Sequence, residues 1–191
     1  MFTKISPAKA ICLLFLSVCL ISCSPMAKLY FGIKDPKVYE SNENRLEYYK
    51  PFYEEEKTKV TIYTLKDTTA LLTALRSFTF PRIYIQNKTT DSIYKLTCFD
   101  DIKYDIEYIN NNKLSELYPV DTAEVYLLKK FITENTKLNY TANETLPEKE
   151  WDIYLVSGTF LGKKIRKRTL PISTINGLNQ IKIVDLSINK E

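Results

Sequence analysis

The chain has 191 residues, of which 45% are hydrophobic and 26% charged, proportions that fit an ordinary folded domain and exclude a disordered or collagen-like chain. A formal net charge of +4, from 27 basic and 23 acidic residues, is too slight to imply a nucleic-acid partner. No histidine occurs, which removes the commonest general base, the usual metal ligand and every Ser-His or Cys-His nucleophile pair. The four glycines (Gly32, Gly158, Gly162 and Gly177) are too scattered for a phosphate-cradling loop, and nothing points to a cofactor.

Residues 1–9 carry Lys4 and Lys9 and no acid, and the thirteen residues Ala10 to Ser22 are uncharged. As a helix that run measures about 20 Å, short of a ~30 Å hydrocarbon core. A basic start followed by a short apolar run reads as a secretory signal; a run of this length also suits a buried core helix, but not with this flank at this position. Leu20-Ile21-Ser22-Cys23 then resembles the bacterial lipobox. That resemblance implies cleavage before Cys23, a diacylglycerol on its thiol and an acylated amine, so that two or three long chains anchor the protein to the membrane. Removal of Lys4 and Lys9 with the signal leaves 25 basic against 23 acidic side chains. Cys98 would remain as a lone thiol in the folded part, unable to form an internal disulfide. The expected organisation is a signal at 1–22, a lipidated tether at 23–40 and one globular domain at 41–191.

Asp35 before Pro36 predicts an irregular turn in Gly32 to Lys37. Ser41 or Asn42 can cap a helix over Glu43 to Lys50, with Leu46 and Tyr49 on one face, which Pro51 ends or bends. Lys59 to Leu65 alternates and is β-branched, a strand. Asp67 or Thr68 caps a helix through Ser77, with Leu71, Leu72 and Leu75 expected on its buried face. Arg82 to Gln86 and Ser92 to Phe99 form a hairpin by spacing. Ile102, Tyr104, Ile106 and Tyr108 recur at period two and predict a further strand, followed by a polar loop at Asn110 to Asn112. Asp121 or Thr122 caps a helix through Glu134 carrying Val125, Leu128 and Ile132. Leu138 to Glu150 reads as a polar linker. Trp151 to Ser157 is the most hydrophobic strand and should be central in a sheet. Gly158 to Gly162 makes a loop, Lys163 to Arg168 opens a helix cut short by Pro171, and Ile181 to Leu186 is the last strand. Strands mixed with helices of this length indicate an α/β or α+β domain with a single mixed sheet and flanking helices.

The signal with its lipobox, the GIKDPK turn and the closing WDIYLVSGTFLGKKIRK…IKIVDLSIN stretch together resemble a family of uncharacterised Bacteroidetes lipoproteins. The resemblance implies that the closing segment is the strand, loop and helix opening a degenerate thioredoxin-like core. A redox dithiol would sit in that loop, but Ser157-Gly158-Thr159-Phe160-Leu161 holds no cysteine, so no oxidoreductase chemistry follows. The absence of an acidic cluster after Cys23 implies, by the same resemblance, an anchor at the periplasmic face of the outer membrane.

Among chemistry-bearing residues, Cys98 lies beside Asp100 and Asp101, whose charge suppresses the thiolate, and a structural cysteine is the better reading. Asp100, Asp101 and Asp105 lack the loop, glycine and closing glutamate of a calcium site, and a solvated turn suffices. Lys163, Lys164, Arg166, Lys167 and Arg168 place five cations in six residues, either a solvated helix face or a contact for phospholipid, lipopolysaccharide phosphate or an acidic envelope protein. Fourteen tyrosines and nine phenylalanines suggest sugar stacking, but no exposed aromatic stripe is visible. Tyr63, Tyr84, Tyr94 and Tyr154 read as core, and Tyr48, Tyr49, Phe52 and Tyr53 as core or subunit contact. The resulting expectation is a lipid-anchored envelope protein that is a binding or accessory module and not an enzyme. The competing class is a periplasmic enzyme, either thiol-dependent through Cys98 or hydrolytic through carboxylates that the sequence does not single out.

Overall fold

A computed structural model describes residues 33–34, 38–97 and 101–190; Cys23, Cys98 and Asp100 lie outside them. One mixed sheet of eight strands organises these residues: β1 (Tyr39–Glu40), β2 (Lys59–Leu65), β3 (Arg82–Asn87), β4 (Ile93–Leu96), β5 (Tyr118–Pro119), β6 (Thr136–Ala142), β7 (Trp151–Ser157) and β8 (Leu178–Asn189). Their order is β5-β4-β3-β7-β8-β2-β6, and β1 pairs with β8. Strands β1, β2 and β7 run parallel to β8, and the outer pairings are antiparallel. The helices are α1 (Asn42–Tyr49), α2 (Thr68–Ser77), α3 (Ile102–Asn110), α4 (Thr122–Asn135) and α5 (Gly162–Thr169). This is the mixed α/β class expected from the sequence.

All seven residues of β7 are buried, as a parallel strand covered on both faces requires. Ile153, Leu155, Ile181, Ile183, Ile83 and Ile85 lie in one core cluster with Tyr49 of α1 and Ile102, Ile106 and Ile109 of α3. Tyr84, Tyr154, Val156 and Val184 lie in another with Ala70 and Ala74 of α2 and Leu128 and Phe131 of α4. Strand alternation places the two clusters on opposite sheet faces. Both sheet edges are blunted. Pro119 occupies the outer edge at β5, where it presents no N–H, and a register irregularity against Ile62/Tyr63 distorts β6 at the other edge.

Most predicted elements fall where the sequence placed them. Ser41, Asp67 and Asp121 accept backbone N–H groups as caps of α1, α2 and α4. Three expectations are corrected. Residues 102–110 form α3, not a strand: Ile102, Asp105, Ile106 and Ile109 are buried at helical spacing while Tyr104 is half exposed. Thr136–Ala142 is strand β6, pairing with β2, so the expected linker begins only after Ala142. In α2 the buried face is Ala70, Leu71 and Ala74, the two alanines allowing close packing on the sheet, and Leu72 is 54% exposed. The strand Tyr39–Glu40 lies within the segment expected as tether and joins the sheet.

The carboxyl end of β8 carries a buried polar cluster built around Arg45 of α1, which is 0% exposed. Its Nε donates to Asp185 Oδ1 at 3.4 Å, Nη1 to Asn189 Oδ1 at 2.6 Å, and Nη2 to Ser187 Oγ at 2.9 Å and Glu40 O at 3.4 Å. Ser187 also donates to Asp185, and Tyr49 Oη donates to Asp185 Oδ2 at 2.8 Å. Burial raises the Asp185 carboxyl above its ordinary range, opposed by Arg45 and the two hydroxyls. A folded-state value above the unfolded one is favourable in acid and is lost as pH rises through it, so titration of Asp185 does not drive acid unfolding.

Removing Arg45 strands a buried carboxyl. Arg45→Met is expected to cost about 3–5 kcal/mol in urea melts, whereas an Arg45→Met/Asp185→Leu double variant loses much less than the sum of the two single variants. Additive losses would contradict the pairing.

Candidate membrane-facing site

The five cations predicted as a patch fall on and around α5, which follows β7 through a short 3-10 turn, Thr159–Leu161. Gly162 has φ 79° and ψ 168°, a conformation open essentially to glycine alone, and this turns the chain into the helix. Ile165 and Thr169 are buried on the inner face. Helix α1 holds α5 from the side: Tyr48 Oη donates to Gly162 O at 3.0 Å, and Arg166 Nη1 donates to Tyr48 O at 2.7 Å. The Arg166 guanidinium also lies over the Tyr48 ring, 5.1 Å from its centroid.

The patch therefore divides. Arg166 is half-buried and fastens α5 to α1. Lys163, Lys164 and Lys167 are exposed, and Arg168 is half-buried. Lys163 and Lys167 have no partner among the described residues, whereas Lys164 and Arg168 are engaged. The positions of these charges are informative. Cations in the last turn complement the helix dipole, but Lys163 and Lys164 occupy the first turn, which holds no acid. There the dipole opposes each cation by about 0.3–1 kcal/mol. Stability alone would place acids at these positions.

The chain enters the domain beside this helix. Lys34 N donates to Phe160 O at 2.7 Å, two residues before α5, and Thr159 Oγ1 donates to Glu40 Oε2 at 2.9 Å. From Cys23 to Lys34 the chain can span at most about 40 Å.

The other candidates separate. Asp105 turns inward and accepts from the backbone N and hydroxyl of Thr97, at 2.5 and 2.7 Å, so it is spent on closing the end of β4. No group of three or more Cys, Asp or Glu side chains suited to a metal occurs among the described residues. Lys182 is paired with Asp152 at 2.8 Å and lies over Tyr154; the Asp152 carboxylate raises its pKa despite burial, which favours the charged form. Tyr84 and Tyr154 are core, as expected, and Tyr49 and Phe52 are core too. Sequence reasoning missed the buried Arg45, which reads as surface by type, and the exposed Tyr118 and Tyr126, which belong to elements that only the fold brings together.

No helix among the described residues is long and apolar enough to cross a membrane. No family model, curated protein or solved structure matches the chain. The strand, loop and helix expected from Trp151 onward are β7, the turn Thr159–Leu161 and α5, within a mixed eight-stranded sheet that does not confirm a thioredoxin-like core.

Two outcomes are expected at the joint of α1 and α5. Gly162→Ala should cost on the order of 1–3 kcal/mol, read by urea melts, because alanine is excluded from this conformation. Burial also pushes the Tyr48 and Tyr49 phenols up, well above their usual range. Their contribution is complete below about pH 10 and is lost as pH rises above it, so tyrosine absorbance should show ionisation delayed until the protein unfolds in alkali.

Proposed function

We propose that this protein is a lipid-anchored, non-catalytic binding or accessory module of a Gram-negative envelope, and that it rests the α5 face on an anionic membrane surface. The observation that carries this reading is the entry of the chain at Lys34, against Phe160, at the amino end of α5. A tether leading back to an acylated Cys23 leaves the domain beside Lys163 and Lys167, so the anchor and the exposed cations share one end of the molecule. Each such lysine near an anionic surface contributes about 1 kcal/mol, an attraction that fades beyond a Debye length of roughly 8–10 Å. The short tether keeps the domain near the surface, and the cations orient it. The unfavourable first-turn lysines fit a surface kept for contact with anions. Nearly equal numbers of basic and acidic side chains in the mature chain make this a local effect and not one of net charge.

The test is co-sedimentation of the unlipidated mature chain, beginning at Ser24, with phosphatidylglycerol/phosphatidylcholine vesicles. Binding should be lost on pure phosphatidylcholine and should weaken as salt rises. Lys163→Glu/Lys167→Glu should reduce it at least about tenfold with little change in melting temperature, since both side chains are exposed and the dipole gain in the first turn offsets the loss in the last. Equal binding by that variant would overturn the orientation.

A further inference from the structure

A cleft runs between α4 and the β4–β5 edge of the sheet. It comprises two adjoining cavities of about 480 and 370 Å³ that share Pro119 and Val120, within the size range of small-ligand sites. The cleft follows from the connection. Val120 and the cap Asp121 are the only residues between β5 and α4, so the chain turns a tight corner and the helix overhangs the strands it has just left. Val120 N donates to Ile93 O at 3.0 Å and fixes the strand floor. Leu128 and Phe131 of α4 are buried toward the sheet and α2, which leaves Thr122, Val125, Tyr126 and Lys129, spaced at i, i+3, i+4 and i+7, to wall the cleft.

Two tyrosines line this cleft and remain in solvent: Tyr118 is 69% exposed and Tyr126 63%. Large aromatic rings left open on the walls of a concave site, with polar groups beside them, provide a flat apolar face and a polar tip together. The charges here balance. Asp91 and Glu124 face Lys129 and Lys95, two acids with two bases, so the cleft has no net charge with which to select an ion. Carboxylates accept hydrogen bonds from hydroxyls, and ammonium groups donate to them. Glu124 is already positioned, accepting from Tyr84 Oη at 2.6 Å. An uncharged, hydroxyl-rich ligand with an apolar face matches both features, whereas a peptide strand adding to the sheet would meet Pro119, which has no N–H to offer.

We infer that this cleft binds a neutral oligosaccharide, with Tyr118 and Tyr126 stacking on sugar faces and Lys95, Glu124 and Lys129 pairing with hydroxyls. The inference is independent of the membrane-facing reading, because the cleft and α5 share no residue.

The experiment is isothermal titration of the full chain, in a non-glycosidic detergent, with cellotetraose, maltotetraose and chitotetraose. At least one should bind, with Tyr126→Ala and Tyr118→Ala each weakening it about fivefold or more, Tyr126→Phe retaining it, and melting temperatures unchanged. Retention by the phenylalanine variant reads the ring itself, which a merely structural hydroxyl would not. Absence of binding by all three probes up to about 10 mM, or binding indifferent to both alanine variants, would overturn the assignment.

Discussion

The buried contact of Arg45 with Asp185 is the constraint on which the candidate membrane face depends. Arg45 links α1 to the last residues of β8, and its buried guanidinium donates four hydrogen bonds, to Asp185, Ser187, Asn189 and the Glu40 carbonyl. With α1 fixed there, Tyr49 enters the core and Tyr48 is presented sideways to α5. Arg166 and Gly162 close on Tyr48, and the outer face of α5 is left to its lysines. The buried Arg45 thus fixes the helix against which α5 is fastened. A buried ion pair is weak evidence for stability, since apolar residues of like volume often do as well; its value here lies in the single arrangement of α1 on β8 that its four hydrogen bonds specify.

The sheet supplies the rest of the frame. Strand β8 is central, parallel on both sides, and receives β1 in the place β7 vacates after Ser157. The carboxyl ends of the parallel strands therefore gather the entering chain, α1 and the turn into α5 at one end of the molecule. The antiparallel half, β3-β4-β5, extends away and ends at Pro119, where the corner into α4 opens the cleft. One sheet thus separates two surfaces of different chemistry: a cationic one beside the entering chain, and an aromatic, charge-balanced one at the far edge.

Much of this was legible in the sequence where burial and composition agree. Trp151–Ser157 reads as a central strand because it is the most hydrophobic strand candidate, and every residue of it is buried; the boundaries of α2 and α4 follow from Asp67 and Asp121. The misreadings have physical causes. Ile102, Tyr104, Ile106 and Tyr108 fit a period of two, but Ile109 completes a helical stripe that Tyr104 does not join. Strand β6 lies at an edge and exposes Lys137 and Leu138, so it carries the polarity of a linker. Alanines 70 and 74 displaced Leu72 from the core because close approach to the sheet outweighed side-chain size. The cationic run was visible as composition, but its division into a fastening Arg166 and outward lysines needed the partner helix. Tyr118 and Tyr126 gave no stripe because they belong to different elements, β5 and α4, on either side of a tight corner.

The most direct test of the account is the intact mass of the mature amino-terminal peptide isolated from membranes, for the wild type and for Cys23→Ala. The account predicts a wild-type peptide that begins at Cys23 and carries the mass of two or three acyl chains, and no such species from the variant. An unacylated amino terminus, or an uncleaved signal in the wild type, would contradict it: α5 would then have no anchor beside it and no reason to face a membrane.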